Sequence, residues 1–202
     1  MKFVFDLDCT ITKEEIIPLI AKEIGLYDKV QSLTKKAMDG KEPFDENFKK
    51  RIDIIKCVPL NVIHNIVQNV KLNENIVKFI KQNNKDCIII TGNLDLIITP
   101  LLKKLNMENS CFSCKGTQKN GYIQSLTNII NKKYIVQNFD FDFVAIGDGA
   151  NDVDMIKMAK IGIAFGGSTT PPNIVLHNAD YVFYDDKKLY NFLNVLKQQN
   201  NM

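Results

Sequence analysis

Asp6-Leu7-Asp8-Cys9-Thr10 sets two carboxylates one residue apart, directly after the apolar run Phe3-Val4-Phe5. The run predicts a buried first strand, which puts the carboxylates at its carboxyl end. Like charges this close raise each other's pKa unless a cation neutralises them. The pair therefore points to a metal site or to acid–base chemistry, with a polar turn as the plain alternative. Other segments repeat the placement. Thr91-Gly92-Asn93 ends a second apolar run, where a hydroxyl and a bare backbone suit close approach of an anion. Gly147-Asp148-Gly149-Ala150-Asn151-Asp152 follows a third run and opens a helix, and its oxygen-bearing side chains suit a hard cation. It is not an EF-hand loop: the third position from Asp148 is Ala150, and no glutamate closes it. Lys132-Lys133 precedes Tyr134-Ile135-Val136 and Phe139. A lysine opening a helix opposes the macrodipole and makes sense beside an anion. Singly, each segment has an ordinary explanation as a cap, a turn or a solvated face.

Together they say more. Asp6, Asp8, Thr91, Lys132, Asp148 and Asp152 each follow a strand or open a helix, so a parallel sheet gathers them at one edge. Two acidic clusters, a hydroxyl and a lysine make a cup for Mg²⁺ and a phosphoryl group. The metal neutralises the carboxylates, and lysine and threonine meet the transferring oxygens.

The elements that must position these residues alternate. Strand-like runs are Lys2–Leu7, Cys87–Ile90, Phe143–Ile146 and Ile161–Phe165, with a weaker one at Tyr181–Phe183. Helical periodicity covers Leu94–Leu105, Lys132–Asn138, Asn151–Ala159 and Leu189–Leu196. That predicts an α/β, doubly wound, mostly parallel sheet. Asn120-Gly121, between Phe112–Gln118 and Tyr122–Leu126, predicts a hairpin as a small antiparallel appendage. Residues 13–75 hold no strand candidate. Their helical stretches, Lys13–Ile24, Asp28–Asp39, Phe44–Cys57 and Leu60–Val70, predict an α-helical cap inserted after the first strand, above the ligand-binding edge. Residues 1–12 and 76–202 would form the core. Asn73 is expected to N-cap the returning helix, and the polar tail Gln198–Met202 to fray.

Composition narrows the class. A net charge of +3 with dispersed lysines gives no reason to expect nucleic acid, and no segment is apolar enough to span a bilayer. The N-terminus runs straight into a strand, without a signal peptide, and a cytoplasmic location is expected. Five cysteines, with Cys111-Phe112-Ser113-Cys114 a lone C-x-x-C on a strand-like stretch, read as reduced thiols rather than zinc ligands or a disulfide framework.

The motifs D-x-D-x-T, T-G-N, a helix-opening lysine and G-D-G-x-N-D resemble those of the haloacid dehalogenase-type phosphatases, from Lys2 to about Lys197. Within that superfamily the chain is similar to the phosphoserine phosphatases. Glu15, Met38, Phe44 and Arg51 fall on that subgroup's cap positions. The resemblance implies a Rossmann-like core and a Mg²⁺-dependent phosphomonoester hydrolase. Asp6 would be the nucleophile, forming an aspartyl-phosphate, and Asp8 the general acid–base. Mg²⁺ would be held by Asp6, the Asp8 carbonyl, Asp148 and Asp152. Thr91, Gly92, Asn93, Asn151 and Lys132 would meet the phosphoryl group, with Lys133 as the alternative lysine. Arg51 would bind a substrate carboxylate and Glu15 its ammonium. The implied partner is a small phosphomonoester, L-phosphoserine first and an amino-alcohol or sugar-linked phosphate second, and the protein is expected to be a monomer or homodimer. A receiver-like signalling module is a remote alternative.

Plainer roles stand beside these. Thr12-x-x-Glu15 matches a helix capping box. Arg51 could be solvated surface, and Met38 and Phe44 cap core. Two departures bear on substrate: Asn93 stands where the subgroup usually has a second glycine, and the segment before Lys132 is short.

Overall fold

The computed structural model describes residues 1–199. Strand β1 (Lys2–Phe5) is almost wholly buried, as an unbroken apolar run must be in the middle of a parallel sheet. On one side it pairs in parallel with β2 (Cys87–Leu94), Phe3 opposite Cys87. On the other it pairs in parallel with β5 (Phe143–Gly147), Phe3 opposite Val144. Beyond β2 lie β3 (Cys111–Lys119) and β4 (Tyr122–Asn128); beyond β5 lie β6 (Ile161–Phe165) and β7 (Tyr181–Phe183). The order in this seven-stranded sheet is β4-β3-β2-β1-β5-β6-β7. The chain winds outward from β1 to one side and then to the other. The order reverses between β1 and β5, and the crevice outside their carboxyl ends is where open α/β sheets bind ligands.

Alternation along the strands builds two layers. Phe3, Phe5 and Ile89 pack with α5 (Glu74–Gln82), α6 (Asp95–Leu105) and α10 (Asp186–Gln199). Val4, Ile90 and Ala145 pack with α7 (Lys132–Val136), α8 (Val153–Met158) and α9 (Asn173–Leu176). Between β1 and α5 stand α1 (Ile16–Lys22), α2 (Tyr27–Met38), α3 (Phe44–Ile55) and α4 (Leu60–Gln68). Their Ile16, Ile20, Val30, Phe48, Ile55 and Ile63 belong to the same buried apolar cluster as Phe3 and Phe5. Helix α4 is tied down at both ends of this contact. His64 Nε2 donates to the Leu96 carbonyl of α6 at 2.8 Å, and the Leu60 N–H donates to Gly121 O, at the β3–β4 turn, at 2.8 Å.

Several local expectations are corrected. The hairpin is no appendage: β3 pairs in parallel with β2, Ile89 opposite Cys111, so the main sheet continues through it. Among the seven strands of the described residues, the β3–β4 pairing is the antiparallel one. The Thr12–Glu15 capping box does not form. Glu15 is the N-cap of α1 without a side-chain bond, while Thr12 Oγ1 donates to the Glu14 carbonyl at 2.8 Å. Asn73 does precede α5, but its side chain makes no cap. Its amide instead donates to Thr10 O at 2.8 Å and Ser168 Oγ at 2.9 Å, pinning the loop after β1. The helix expected over Asn151–Ala159 begins as a 3₁₀ turn, Ala150–Asp152, before α8. In the tail, Gln198 and Gln199 are helical, and the rest of it, 200–202, lies outside the described residues.

Candidate active site

The chain leaves β1 into a tight loop. Cys9 takes a left-handed conformation (φ 58°), and Ile11 and Thr12 N–H groups both return to Leu7 O at 2.9 Å. A non-glycine residue in that region carries roughly 1–3 kcal/mol of strain, sustained where its surroundings fix it. Here the loop is fixed by Asn73 and by the Cys9 N–H, which donates to Thr12 Oγ1 at 3.1 Å. The result holds Asp6 at the end of β1 and Asp8 in the turn that follows, with different neighbours.

Asp6 is buried. Lys132 Nζ contacts its Oδ1 and donates to Asp152 Oδ1 at 2.5 Å. Of the two lysines, Lys132 is buried in this pair and Lys133 is exposed. Asp152 Oδ2 accepts the Asp148 and Gly149 N–H groups at 3.1 and 3.0 Å, so both its oxygens have partners. Asp148 accepts from two hydroxyls, Thr10 at 3.3 Å and Thr169 at 2.9 Å. Carboxylate oxygens of Asp6, Asp148 and Asp152 lie within 4.8 Å of one another.

Charge arithmetic tests whether this cluster suits a cation. Three buried carboxylates meet one buried lysine, which leaves two negative charges uncompensated in a dry place. Burial accordingly pushes Asp6 up to about 8, against the pull of Lys132 and with the push of Asp152 and Asp8. Asp148 is driven well above the ordinary carboxylate range by burial and then by Asp6. At Lys132, burial favours the neutral amine but Asp152 and Asp6 outweigh it, and the ammonium is held more tightly than usual. A divalent cation bound by oxygens would close the balance. The donor set fits one.

Asp8 faces the other way. Its Oδ1 accepts the Ile16 N–H at 2.9 Å and its Oδ2 accepts Asn93 Nδ2 at 3.0 Å. Burial raises its pKa, against these two bonds. Thr91 is fully buried, and its hydroxyl oxygen accepts the Asn93 N–H at 3.0 Å.

A cleft of about 30 Å³, room for a water or two, opens between the sheet edge and the helical insertion. Asp6, Asp8, Glu15, Met38, Phe44, Arg51, Gly92, Asn93 and Asn151 all line it, with Ile17 and Phe48. Two core glycines receive the insertion. A Cβ on Gly92 would come 2.3 Å from Phe44 Cζ, and one on Gly149 would come 2.3 Å from Met38 Cε. Arg51 is 5% exposed, yet no carboxylate approaches it within 4 Å among the described residues. Its Nη1 reaches Thr34 Oγ1 at 3.4 Å, its Nε has no partner, and its guanidinium lies 5.8 and 5.6 Å from the stacked rings of Phe44 and Phe48. Burial pulls its pKa down, against Glu15 and Asp8. Burial, then Asp8, pushes Glu15 up to about 8. Arg51 is thus a buried cation without an ion pair, in one cleft with Glu15, Asp6 and Asp8.

Thr34, Phe48 and Thr169 lie outside the motifs, and Asn73 serves the loop after β1 rather than a helix cap. Thr10 stood in the first motif without a role of its own. Thr169 follows β6 at the same sheet edge, and that placement was the available signal.

A family model for haloacid dehalogenase-like hydrolases matches residues 3–157, well over half of the chain. The chain belongs to that family. This hydrolase is 28% identical over 176 residues to the phosphoserine phosphatase of Methanocaldococcus jannaschii, covering 80% of this chain and 83% of the relative. It is 31% identical over 177 residues to that of Archaeoglobus fulgidus, covering 80% of this chain and 51% of the relative. A solved substrate-bound phosphoserine phosphatase complex aligns with a TM-score of 0.80 at 26% identity, over 95% of this chain and 98% of that one. A phospho-aspartyl intermediate analogue of phosphoserine phosphatase aligns at 0.77 and 26%, over 94% and 97%. Membership of this family leaves the receiver-like alternative without support. No helix among the described residues is long and apolar enough to cross a membrane.

Proposed function

We propose that this hydrolase is a Mg²⁺-dependent phosphomonoesterase of the cytoplasm that acts through an aspartyl-phosphate on Asp6, with L-phosphoserine as substrate. The observation that carries it is one cleft in which Asp6 and Asp8 face Glu15 and a buried Arg51 whose Nε has no partner. Both comparisons named for phosphoserine phosphatase structures support it.

In the first step an Asp6 carboxylate oxygen attacks phosphorus, and the bond from phosphorus to the ester oxygen breaks. Asp8 delivers its proton to the departing alkoxide, which leaves as the alcohol. In the second step Asp8, now a carboxylate, takes a proton from the water that attacks the acyl-phosphate, freeing Asp6 and phosphate. Dividing one displacement into two lowers each barrier, and the proton transfers are typically worth ~10²–10⁴-fold. Lys132, the Thr91 hydroxyl, the amides around Gly92 and Asn151 would bind the phosphoryl oxygens. Mg²⁺ would be held by Asp6, Asp148, Asp152 and the Asp8 carbonyl, and supplies positive charge to the carboxylates and the phosphoryl group.

Arg51 offers a two-pronged contact to the substrate carboxylate, which lysine cannot copy. Glu15 would receive the ammonium. The cleft as it stands holds little more than water, so helices α1–α3 of the insertion would open as a lid to admit the ester and close to exclude solvent, while α4 stays seated on the core. A second substrate class, an amino-alcohol or sugar-linked phosphate, is favoured only by the Asn93 side chain in the cleft. Phosphate release across a panel of such esters, with and without Mg²⁺, tests the assignment. Rapid Mg²⁺-dependent turnover of phosphoserine above the other esters is expected. Preference for an ester without a carboxylate would overturn it.

A further inference from the structure

Asn93 is 3% exposed, and its N–H and both side-chain polar atoms are engaged. Pairing of β2 with β3 slips between Thr91 and Leu94, so the two residues between them bulge out of the ladder at the cleft. The bulge fixes Asn93 three times over. Its N–H donates to Thr91 Oγ1 at 3.0 Å, its Oδ1 accepts the Leu94 N–H at 2.8 Å, and its Nδ2 donates to Asp8 Oδ2 at 3.0 Å. The Leu94 N–H leaves no choice about the amide's orientation: oxygen toward the strand, nitrogen toward the carboxyl group. Asp8 Oδ1 is held separately by the Ile16 N–H at 2.9 Å.

We infer that Asn93 is a positioning residue for the leaving-group step, acting through Asp8. This rests on the phosphatase reading above. Asp8 is pinned at one oxygen by the first helical amide of α1 and at the other by Asn93. The carboxyl plane is thereby set; Asn93 Nδ2 also lies 3.4 Å from Oδ1, so Oδ2 is the oxygen that keeps a lone pair for a proton. When the bond from phosphorus to the ester oxygen breaks, its electron pair stays on that oxygen, which takes the Asp8 proton. Asp8 becomes a carboxylate as this happens. Two N–H donors already aimed at it stabilise the charge as it forms, and need no rearrangement. A residue without a donor at this position would leave Asp8 free to rotate about its side chain and with one fewer bond in the charged state. The benefit falls on esters whose alkoxide needs a proton to leave. It is small for an aryl ester, whose phenolate leaves without one.

The test compares two substrates in the Mg²⁺-loaded enzyme: phosphoserine, or whichever alkyl phosphate the wild type turns over, and p-nitrophenyl phosphate. Asn93→Asp keeps size and the acceptor for the Leu94 N–H but removes the donor; Asn93→Ala removes both. Each variant should lower the ratio of alkyl to aryl kcat at least tenfold, within the range of acid catalysis, with the loss in kcat rather than KM. Aryl turnover reports that the site is still assembled in each variant. An unchanged ratio, whether both substrates lose equally or neither loses, overturns the inference. A wild type that turns over neither ester refutes the phosphatase reading instead, so the two failures are told apart.

Discussion

Replacing Arg51 with methionine separates what this residue costs the fold from what it does for a ligand. Arg51 is 5% exposed and its Nε has no partner. A buried donor left unsatisfied costs about 1–3 kcal/mol. Against that, its guanidinium lies within 6 Å of the Phe44 and Phe48 ring centroids, worth about 0.5–2 kcal/mol. Methionine keeps the apolar stem, fills similar volume and removes the charge. The balance predicts a fold unchanged or more stable by up to about 2 kcal/mol, and a Tm up by several degrees at roughly 2–4 °C per kcal/mol for a chain of this size. Catalysis should move the other way. Charge-assisted bonds to a bound carboxylate are worth about 1.5–3 kcal/mol, so kcat/KM for phosphoserine should fall by about tenfold to over a hundredfold. On p-nitrophenyl phosphate, which has no carboxylate, the loss should be at least tenfold smaller. Differential scanning fluorimetry and phosphate release measure both. A variant destabilised by more than about 1 kcal/mol would mean that Arg51 has a structural partner in solution, and equal loss on the two esters would remove it from substrate recognition.

Asp6→Asn should reduce phosphate release to background while leaving the fold intact by circular dichroism; residual turnover above about a thousandth of wild type would point to another nucleophile. Gly92→Ala drives a methyl group to 2.3 Å from Phe44 Cζ. It should hold the insertion away from the core and cut turnover at least tenfold, with partial recovery when Phe44→Leu is added, and no recovery would place the damage in the Gly92 amide itself. Metal-stripped protein should lose stability as pH rises from about 5 to 8. Folded Asp6, held up to about 8 mainly by burial, keeps a proton there that the unfolded chain has already released. Glu15, also pushed up to about 8 by burial, acts in the same direction. The native state then binds more protons, and each such proton contributes a slope of up to about 1.4 kcal/mol per pH unit. Added Mg²⁺ should flatten the slope and raise Tm most at pH 8. A flat profile with chelator present would contradict the charge balance drawn for the cluster.

What could be read without coordinates was whatever local pattern determines. Phe3-Val4-Phe5 and Phe143–Ile146 are too apolar to be anything but central strands, and chemistry placed at their ends converges because parallel strands end together. Lys132 follows β4, an antiparallel strand, and was legible instead as a lysine opening a helix. The path of β3 was not legible. Cys111-Phe112-Ser113-Cys114 has no alternation that announces a partner, and its pairing with β2 is a contact set by the whole sheet. Capping was misjudged because Thr12 and Asn73 have the right residue types at the right spacing, while tertiary neighbours claim their side chains first. Thr169 and Asn93 show the remaining gap. Each meets its acid across more than twenty residues of chain or across two strands, and no periodicity encodes such a bond.

The seat of α4 bears on how specificity could be exchanged among such hydrolases. Its apolar side joins the interior beneath the sheet, and its two polar ties run to α6 and to the tip of the β3–β4 ribbon. A graft that transplanted 13–75 whole would carry one half of those complementary surfaces and abandon the other. Splicing after α3 leaves α4 with the scaffold it is fitted to, while still delivering Glu15, Met38, Phe44 and Arg51 as one cassette.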